Sequence, residues 1–364
     1  MRRAVAPGSR IVLKIGSSSL SSDGRGVDAT AIRRVVDQVE GLWEAGHACV
    51  LVTSGAVAAG MSVMNITERP TDLPALQVAA AVGQGRLMEM YSKEFGQKGR
   101  IVGQILLTRD VLARREQYLH AREALERMLA GGILPIVNEN DTVVVDELRF
   151  GDNDRLAAIV SHLVRAGMLV ILSDTAGLYS EDPWYADEPE LLSAVRHTDE
   201  ILDAIAHDRS GALGSGGVAS KVAAARMAAW SGIPTVIAPA SDDDSSRLAV
   251  EGSEIGTWVE PHPSGLPARK LWIGFGLPAS GTLEVDEGAR LAIVESGRSL
   301  LPAGVREVEG DFEPGSAVMV TALGRPVAKG LARMSAEEVR AAVGRHSSET
   351  GGVVIHRDDL VVLT

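Results

Sequence analysis

The 364-residue chain has a single cysteine, Cys49, so no intrachain disulfide can form. Ala48 before it and Val50 to Val52 after it mark it as a core residue. Long apolar runs are also missing. The longest, such as 75–82 and 168–172, fall well short of the ~18 residues of a membrane span, and mean hydropathy is only +0.09. The N-terminal apolar segment Ile11–Ile15 is short and carries Lys14, so no secretory segment is expected and the chain reads as cytoplasmic. Basic charge is in deficit, with 36 Lys+Arg against 48 Asp+Glu and a formal net charge of −12. This disfavours nonspecific attraction to nucleic acid or anionic membrane, and an anionic substrate needs a local positive site. The eight histidines are scattered without an H-x-x-x-H spacing or a cysteine partner, so no zinc site is expected. Internal repeats and low-complexity tracts are absent.

What is present is enough chain for two or three domains and, at 45% apolar residues, enough material for their cores. The first two thirds alternate short β-branched runs with longer segments of helical period, which predicts α/β architecture: an open, mostly parallel sheet sandwiched by helices. The runs predict strands at Ile11–Lys14, Cys49–Thr53, Ile101–Leu107, Ile133–Val137, Leu169–Leu172 and Thr235–Ile237. Helical patterns lie between them at Leu76–Phe95, Arg115–Leu129, Arg155–Val164, Ile201–Ile205 and Lys221–Trp230. Ile32, Val35, Val36, Val39, Leu42 and Trp43 make one apolar helical face, with Asp28 or Thr30 to cap its start. Near residue 260 the breaker-rich Pro261-His262-Pro263-Ser264-Gly265-Leu266-Pro267 interrupts the pattern. Short strands at Thr282–Val285, Ala317–Val320 and Val353–Ile355 then predict a small, mostly β second domain. The expected division is 1–262, a linker at 263–276, and 277–364.

Ligands of open α/β sheets sit beyond the carboxyl ends of the strands, and the polar clusters fall there. Lys14-Ile15-Gly16-Ser17-Ser18-Ser19 follows the first strand, Thr53-Ser54-Gly55 the second, Asn138-Glu139-Asn140-Asp141 a later one and Ser173-Asp174 another. A fifth segment, Gly211-Ala-Leu-Gly214-Ser215-Gly216-Gly217-Val218-Ala219-Ser220-Lys221, leads into an Ala-rich helix. Its bare backbone N–H groups, helix N-terminus and lysine suit phosphate, although it lacks the Walker A spacing.

Lys14 is an ammonium at an otherwise apolar strand end, costly to bury unless an anion offsets it. With Lys221 it suits phosphoryl transfer, one lysine on the leaving phosphate and one on the transferring group. The clusters Asn138 to Asp141 and Gly151-Asp152-Asn153-Asp154 flank a predicted β-hairpin over 143–150. Their acceptors can hold an ammonium and orient lysines, as an amino acid substrate requires. Asn and Asp are equally ordinary turn residues, and their repetition at strand ends favours the binding reading. His356-Arg357-Asp358 has no D-F-G after it and is set aside as a protein-kinase signature.

The segments IVLKIGSSSL, VTSGAVAAG, AAVGQGRLMEMY, VNENDTV, FGDNDRLAA, LSDTAGLY and GSGGVASK, in this order, resemble the glutamate-phosphorylating branch of the amino acid kinase family. VDEGARLAIVESGRSLLPAGV resembles the PUA domain of bacterial members, so the likeness spans essentially the whole chain. The resemblance implies ATP-dependent phosphorylation of the L-glutamate γ-carboxylate at the start of proline synthesis, with Mg²⁺ riding on the nucleotide. It implies that Lys14 and Lys221 contact the phosphates and that Asp154 organises them. It places glutamate on Ser54, Asp141 and Asn153, with Asn138 nearby. ATP falls on Lys14, Ser173, Asp174 and the run Ser215, Gly216, Gly217, Val218, Ala219, Ser220 and Lys221. Ser173 stands where threonine is common, and Val218-Ala219 replaces a Met-Ser type pair; neither change removes a charged or backbone donor.

The resemblance further implies feedback inhibition by proline, a homodimer or homotetramer, and handover of the labile product to a glutamyl phosphate reductase. The rival enzyme reading is a sibling kinase acting on N-acetylglutamate, aspartate, carbamate or UMP, which the NEND and GDND clusters disfavour. A rival of another class is regulatory RNA binding through the PUA-like domain. Residues 271–364 carry thirteen acidic against nine basic side chains, which argues against RNA.

Overall fold

The computed structural model describes residues 2–21, 26–112, 114–143, 153–181, 183, 186, 188–208, 217–263, 265–345 and 352–363. The chain forms two compact units, Met1–Gly265 and Leu266–Thr364. The hairpin expected over 143–150 lies outside the described residues from 144 onward, as do Gly151, Asp152 and residues 209–216.

The first unit opens with β1 (Arg10–Ile15), the single turn α1 (Ser17–Leu20), α2 (Ala29–Glu44) and β2 (Ala48–Val52). Next come α3 (Ala56–Val63), α4 (Leu73–Gln97), β3 (Ile101–Leu107), α5 (Arg115–Ala130) and β4 (Ile133–Glu139). It continues with α6 (Asp154–Val164), β5 (Met168–Ser173), β6 (Ala194–Arg196), α7 (Ile201–Asp208) and α8 (Val218–Trp230). It closes with β7 (Thr235–Pro239), α9 (Ser245–Val250) and β8 (Thr257–Glu260). Its sheet runs β3-β4-β2-β1-β5-β7-β8-β6. Every pairing is parallel except β7 with β8. Strands covered on both faces need apolar side chains on both, which is why Ile11–Leu13, Val50–Val52 and Leu169–Ile171 are continuous hydrophobic runs, all 0% exposed. The chain leaves β1 toward β2 on one side and later returns to its other side with β5, so the crevice beyond β1 is the switch point where such sheets bind ligands.

Asp28 caps α2 by accepting from the Thr30 N–H at 2.8 Å. The α2 face that reads apolar, including Ile32, Val35, Val36, Val39 and Leu42, is buried in the sheet's core, each large side chain contributing roughly 1.5–3 kcal/mol. Helices α3 and α4 cross at two glycines. A methyl group built on Gly60 would lie 1.8 Å from the Ala79 carbonyl oxygen, and one on Gly83 would lie 1.8 Å from that of Ala56. Only hydrogen at both positions permits this approach.

The stretch 263–276, expected as a linker, holds the helical turn α10 (Ala268–Leu271) and a π-helical turn at Trp272–Gly276. Ile273 of that turn packs with Leu331 and Val361, so its apolar side chains are in a core. The second unit then builds β9 (Gly281–Val285), α11 (Glu287–Val294), β10 (Val305–Gly310), β11 (Ala317–Ala322), β12 (Arg325–Ala332), α12 (Ala336–Ala342) and β13 (Ile355–Val362). Its five-stranded sheet is ordered β10-β9-β11-β12-β13 and is antiparallel except between β9 and β11. The last strand begins at Ile355, two residues later than the predicted Val353 start.

Candidate active site

Lys14 is the fifth residue of β1 and Asp154 the first of α6. Their side chains form an ion pair and are 2% and 0% exposed. A carboxylate in the first turn is favoured by the helix dipole, yet burial this complete requires charged partners. The first turn of α8 supplies more: Ser220 Oγ donates to Asp154 Oδ2 at 2.6 Å, and Lys221 adds a second positive charge acting on the same carboxylate. Burial alone would push the Asp154 carboxyl up. Lys14 and Lys221, with hydrogen bonds from Lys14 and Ser220, outweigh burial and hold it below the usual carboxylate range. Two ammonium groups thus meet one carboxylate beside the N-terminus of α8, an arrangement that accommodates further negative charge.

Beside this triad runs a chain of carboxamides. Asn153 sits at the N-cap of α6 but makes no side-chain cap. Its Nδ2 donates instead to the Thr53 carbonyl at 2.5 Å and to Asn138 Oδ1 at 2.6 Å, and lies 3.3 Å from Ser54 Oγ. Asn138 Oδ1 also accepts the Glu139 N–H at 2.9 Å, while Asn138 Nδ2 donates to Gln84 Oε1 at 2.6 Å. Thr53 Oγ1 is 2.8 Å from the hydroxyl of Tyr91, whose phenol is pushed up by burial and stays neutral. Gly55, at φ 99°, takes the left-handed turn that starts α3 directly after Ser54. Ser17, Ser54, Gly55, Ala56, Arg69, Asn138, Asp141 and Asn153 are among the residues lining the resulting cleft.

Past β5, Ser173 Oγ donates to Asp174 Oδ1 at 3.1 Å. Ser173 and Asp174 line a cavity of about 300 Å³ with Ser18, Ser19, Asp28, Arg34 and Ser241. It lies at the carboxyl ends of β1, β5 and β7.

The fold therefore brings Lys14, Asp154 and Lys221 together and gathers Ser54, Asn138, Asp141 and Asn153 on one cleft. Gly217 caps α8, and Val218, Ala219, Ser220 and Lys221 form its first turn; Ser215 and Gly216 lie outside the described residues. Sequence reasoning did not single out Arg69, Gln84 or Tyr91. A glutamine amid small residues and two helical glycines, Gly60 and Gly83, were the available signals for the α3–α4 crossing. Among the described residues no three carboxylate, imidazole or thiolate groups gather around one point. The Asp154 carboxylate is occupied by the lysines and Ser220, so these residues do not fit a protein-built Mg²⁺ cage.

Comparison with known proteins identifies the family. The amino acid kinase family model matches residues 9–239 and the PUA domain model matches 281–354. The glutamate 5-kinase of Pseudomonas fluorescens (strain Pf-5) is 44% identical over 372 residues, covering all of both chains. That of Pelobacter propionicus is 41% identical and covers 97% of each. Among solved structures, UMP kinase from Bacillus anthracis aligns with 70% of this chain and 97% of its own at TM-score 0.48 and 12% identity, too loose a likeness to add weight. No helix among the described residues is long and apolar enough to cross a membrane. On the family match and the full-length relatives, the chain belongs to the amino acid kinase family, among its glutamate 5-kinases with a PUA domain.

Proposed function

We propose that the chain transfers the γ-phosphoryl group of ATP to the γ-carboxylate of L-glutamate, giving L-glutamyl 5-phosphate for proline synthesis. The observation that carries this reading is the Lys14–Asp154–Lys221 constellation set directly beside the amide-lined cleft, since Asn153 and Asp154 are consecutive residues. The amino acid lies on Ser54, Asn138, Asp141 and Asn153. The nucleotide lies toward Ser173, Asp174 and the N-terminus of α8, on the segment from 215 to Lys221.

The γ-carboxylate is ionised at neutral pH, so attack on phosphorus needs no general base. The difficulty is repulsion between anions in a chain of net charge −12. Lys14 and Lys221 between them offset charge on the transferring group and on the leaving phosphate. Asp154 fixes both ammonium groups, so little reorganisation is needed as charge shifts. Mg²⁺ belongs with the phosphates of the nucleotide, and the residues of this chain do their work without holding it.

Proline, an amino acid with the same carboxylate and ammonium, inhibits by overlapping the glutamate cleft at Asn138, Asp141 and the loop after Thr53. The chain works as a homodimer or homotetramer in the cytoplasm. Its labile product passes to a glutamyl phosphate reductase. Hydroxylamine trapping of acyl phosphate tests the reading: hydroxamate forms with L-glutamate and not with N-acetyl-L-glutamate or L-aspartate. Product with either of those instead assigns the chain to a sibling activity.

A further inference from the structure

A carboxamide taken singly can point either way, but here the polarity of the amide chain is forced from both ends. The Glu139 backbone N–H can only donate, so the Asn138 atom 2.9 Å from it is the oxygen. The Thr53 carbonyl can only accept, so the Asn153 atom 2.5 Å from it is the nitrogen. That nitrogen also meets the Asn138 oxygen at 2.6 Å, which leaves Asn138 Nδ2 in need of an acceptor. Gln84 Oε1, at 2.6 Å, is that acceptor. With this polarity Asn153 Oδ1 is left buried without a partner, on a residue that lines the cleft. A buried acceptor is costly until a donor reaches it.

We propose that Gln84 is a positioning residue for amino-group recognition: through Asn138 it locks the Asn153 carboxamide so that its unpaired oxygen accepts from the α-ammonium of the substrate. The Glu139 N–H and the Thr53 carbonyl set the polarity; Gln84 Oε1 satisfies the Asn138 nitrogen that this polarity leaves over, and so holds the Asn138 carboxamide, and with it Asn153, in place. Gln84 is itself held by the close α3–α4 crossing, because the neighbouring Gly83 abuts the Ala56 backbone. Its Nε2 is buried with no hydrogen-bond partner. A side chain that served packing alone would not leave a buried amide unpaired, so the oxygen is the part of Gln84 that matters.

The inference rests on the reading of L-glutamate as substrate, and the test separates the two. Gln84→Met fills similar space without an acceptor. It raises the KM for L-glutamate ~10-fold, the equivalent of one hydrogen bond, and leaves the KM for ATP within about twofold. The inhibition constant of glutarate, which has both carboxylates and no amine, stays within about twofold of wild type. In an Asn138→Ala background Gln84→Met adds nothing further, as expected when one residue acts through the other. Gln84→Leu replaces it if the Met variant does not fold. An unchanged glutamate KM, equal weakening of glutarate and glutamate, or additivity with Asn138→Ala overturns the inference while the substrate reading stands. A wild-type protein with no glutamate-dependent turnover overturns the substrate reading, and the inference with it.

Discussion

Lys14 and Asp154 come from β1 and α6, 140 positions apart in the chain, and meet as an ion pair whose side chains are 2% and 0% exposed. Such a pair contributes little net stability by itself, but loss of one partner strands the other. Asp154→Asn leaves Lys14 and Lys221 without their shared anion, and unfolding by denaturant is expected to show a loss of about 3 kcal/mol. ATP restores part of the loss by bringing phosphate to the lysines, so the melting difference from wild type is smaller with nucleotide than without.

The same pair sets an acid limit. The folded Asp154 carboxyl is held below its ordinary 3.8, so its contribution is present above that value and is lost as pH falls through the lower, folded value. Melting curves should show a constant gap between wild type and Asp154→Asn from about pH 5 to 8, narrowing only in stronger acid. A gap that already closes between pH 7 and 5 would mean that the lysines do not depress the carboxyl.

Removal of either lysine acts on turnover. Lys14→Ala and Lys221→Ala each lower kcat by roughly 10² to 10³, the scale of losing one donor to a charged transition state. Steady-state hydroxamate formation measures it, and near-wild-type turnover in either variant removes that lysine from the mechanism.

The helix crossing beneath the amide chain is open to a gentler probe. Gly83→Ala forces a methyl group against the Ala56 carbonyl, which a built Cβ would approach to 1.8 Å, so α3 and α4 must separate. The expected loss is about 2 kcal/mol, with a raised KM for glutamate because Gln84 and the α3 turn after Ser54 move together. Exposed Gly99, at the end of α4 with nothing within 4 Å of a Cβ, is less useful as a control because its φ of 73° strains any side chain. Gly85→Ala, also open and without a positive φ, is expected to leave both quantities unchanged.

Most of the first unit was legible because fully buried parallel strands are continuous apolar runs and polar clusters stand at their carboxyl ends. Lys14, Ser54, Asn138 and Ser173 all follow that rule. Gln84 and Tyr91 do not. They lie inside α4, and their roles depend on which helix face meets α3, a matter decided by the Gly60 and Gly83 contacts and invisible to local periodicity. The short strands β6 and β8, of three and four residues, give too little alternation to be read. β12 hides for another reason: Pro326, Lys329 and Gly330 break its pattern. Lys329 is nevertheless buried, with its ammonium donating to the Gly274 and Leu277 carbonyls around the π-helical turn.

Transfer to the γ-carboxylate is tested by following the oxygen atom that attacks phosphorus. L-Glutamate labelled with ¹⁸O in its γ-carboxylate is turned over with ATP, the acyl phosphate is allowed to cyclise to 5-oxoproline, and the released phosphate is weighed by mass spectrometry. Cyclisation breaks the carbon–oxygen bond, so one ¹⁸O is expected in the phosphate. Phosphate released at a glutamate-dependent rate but without label would contradict transfer to the γ-carboxylate.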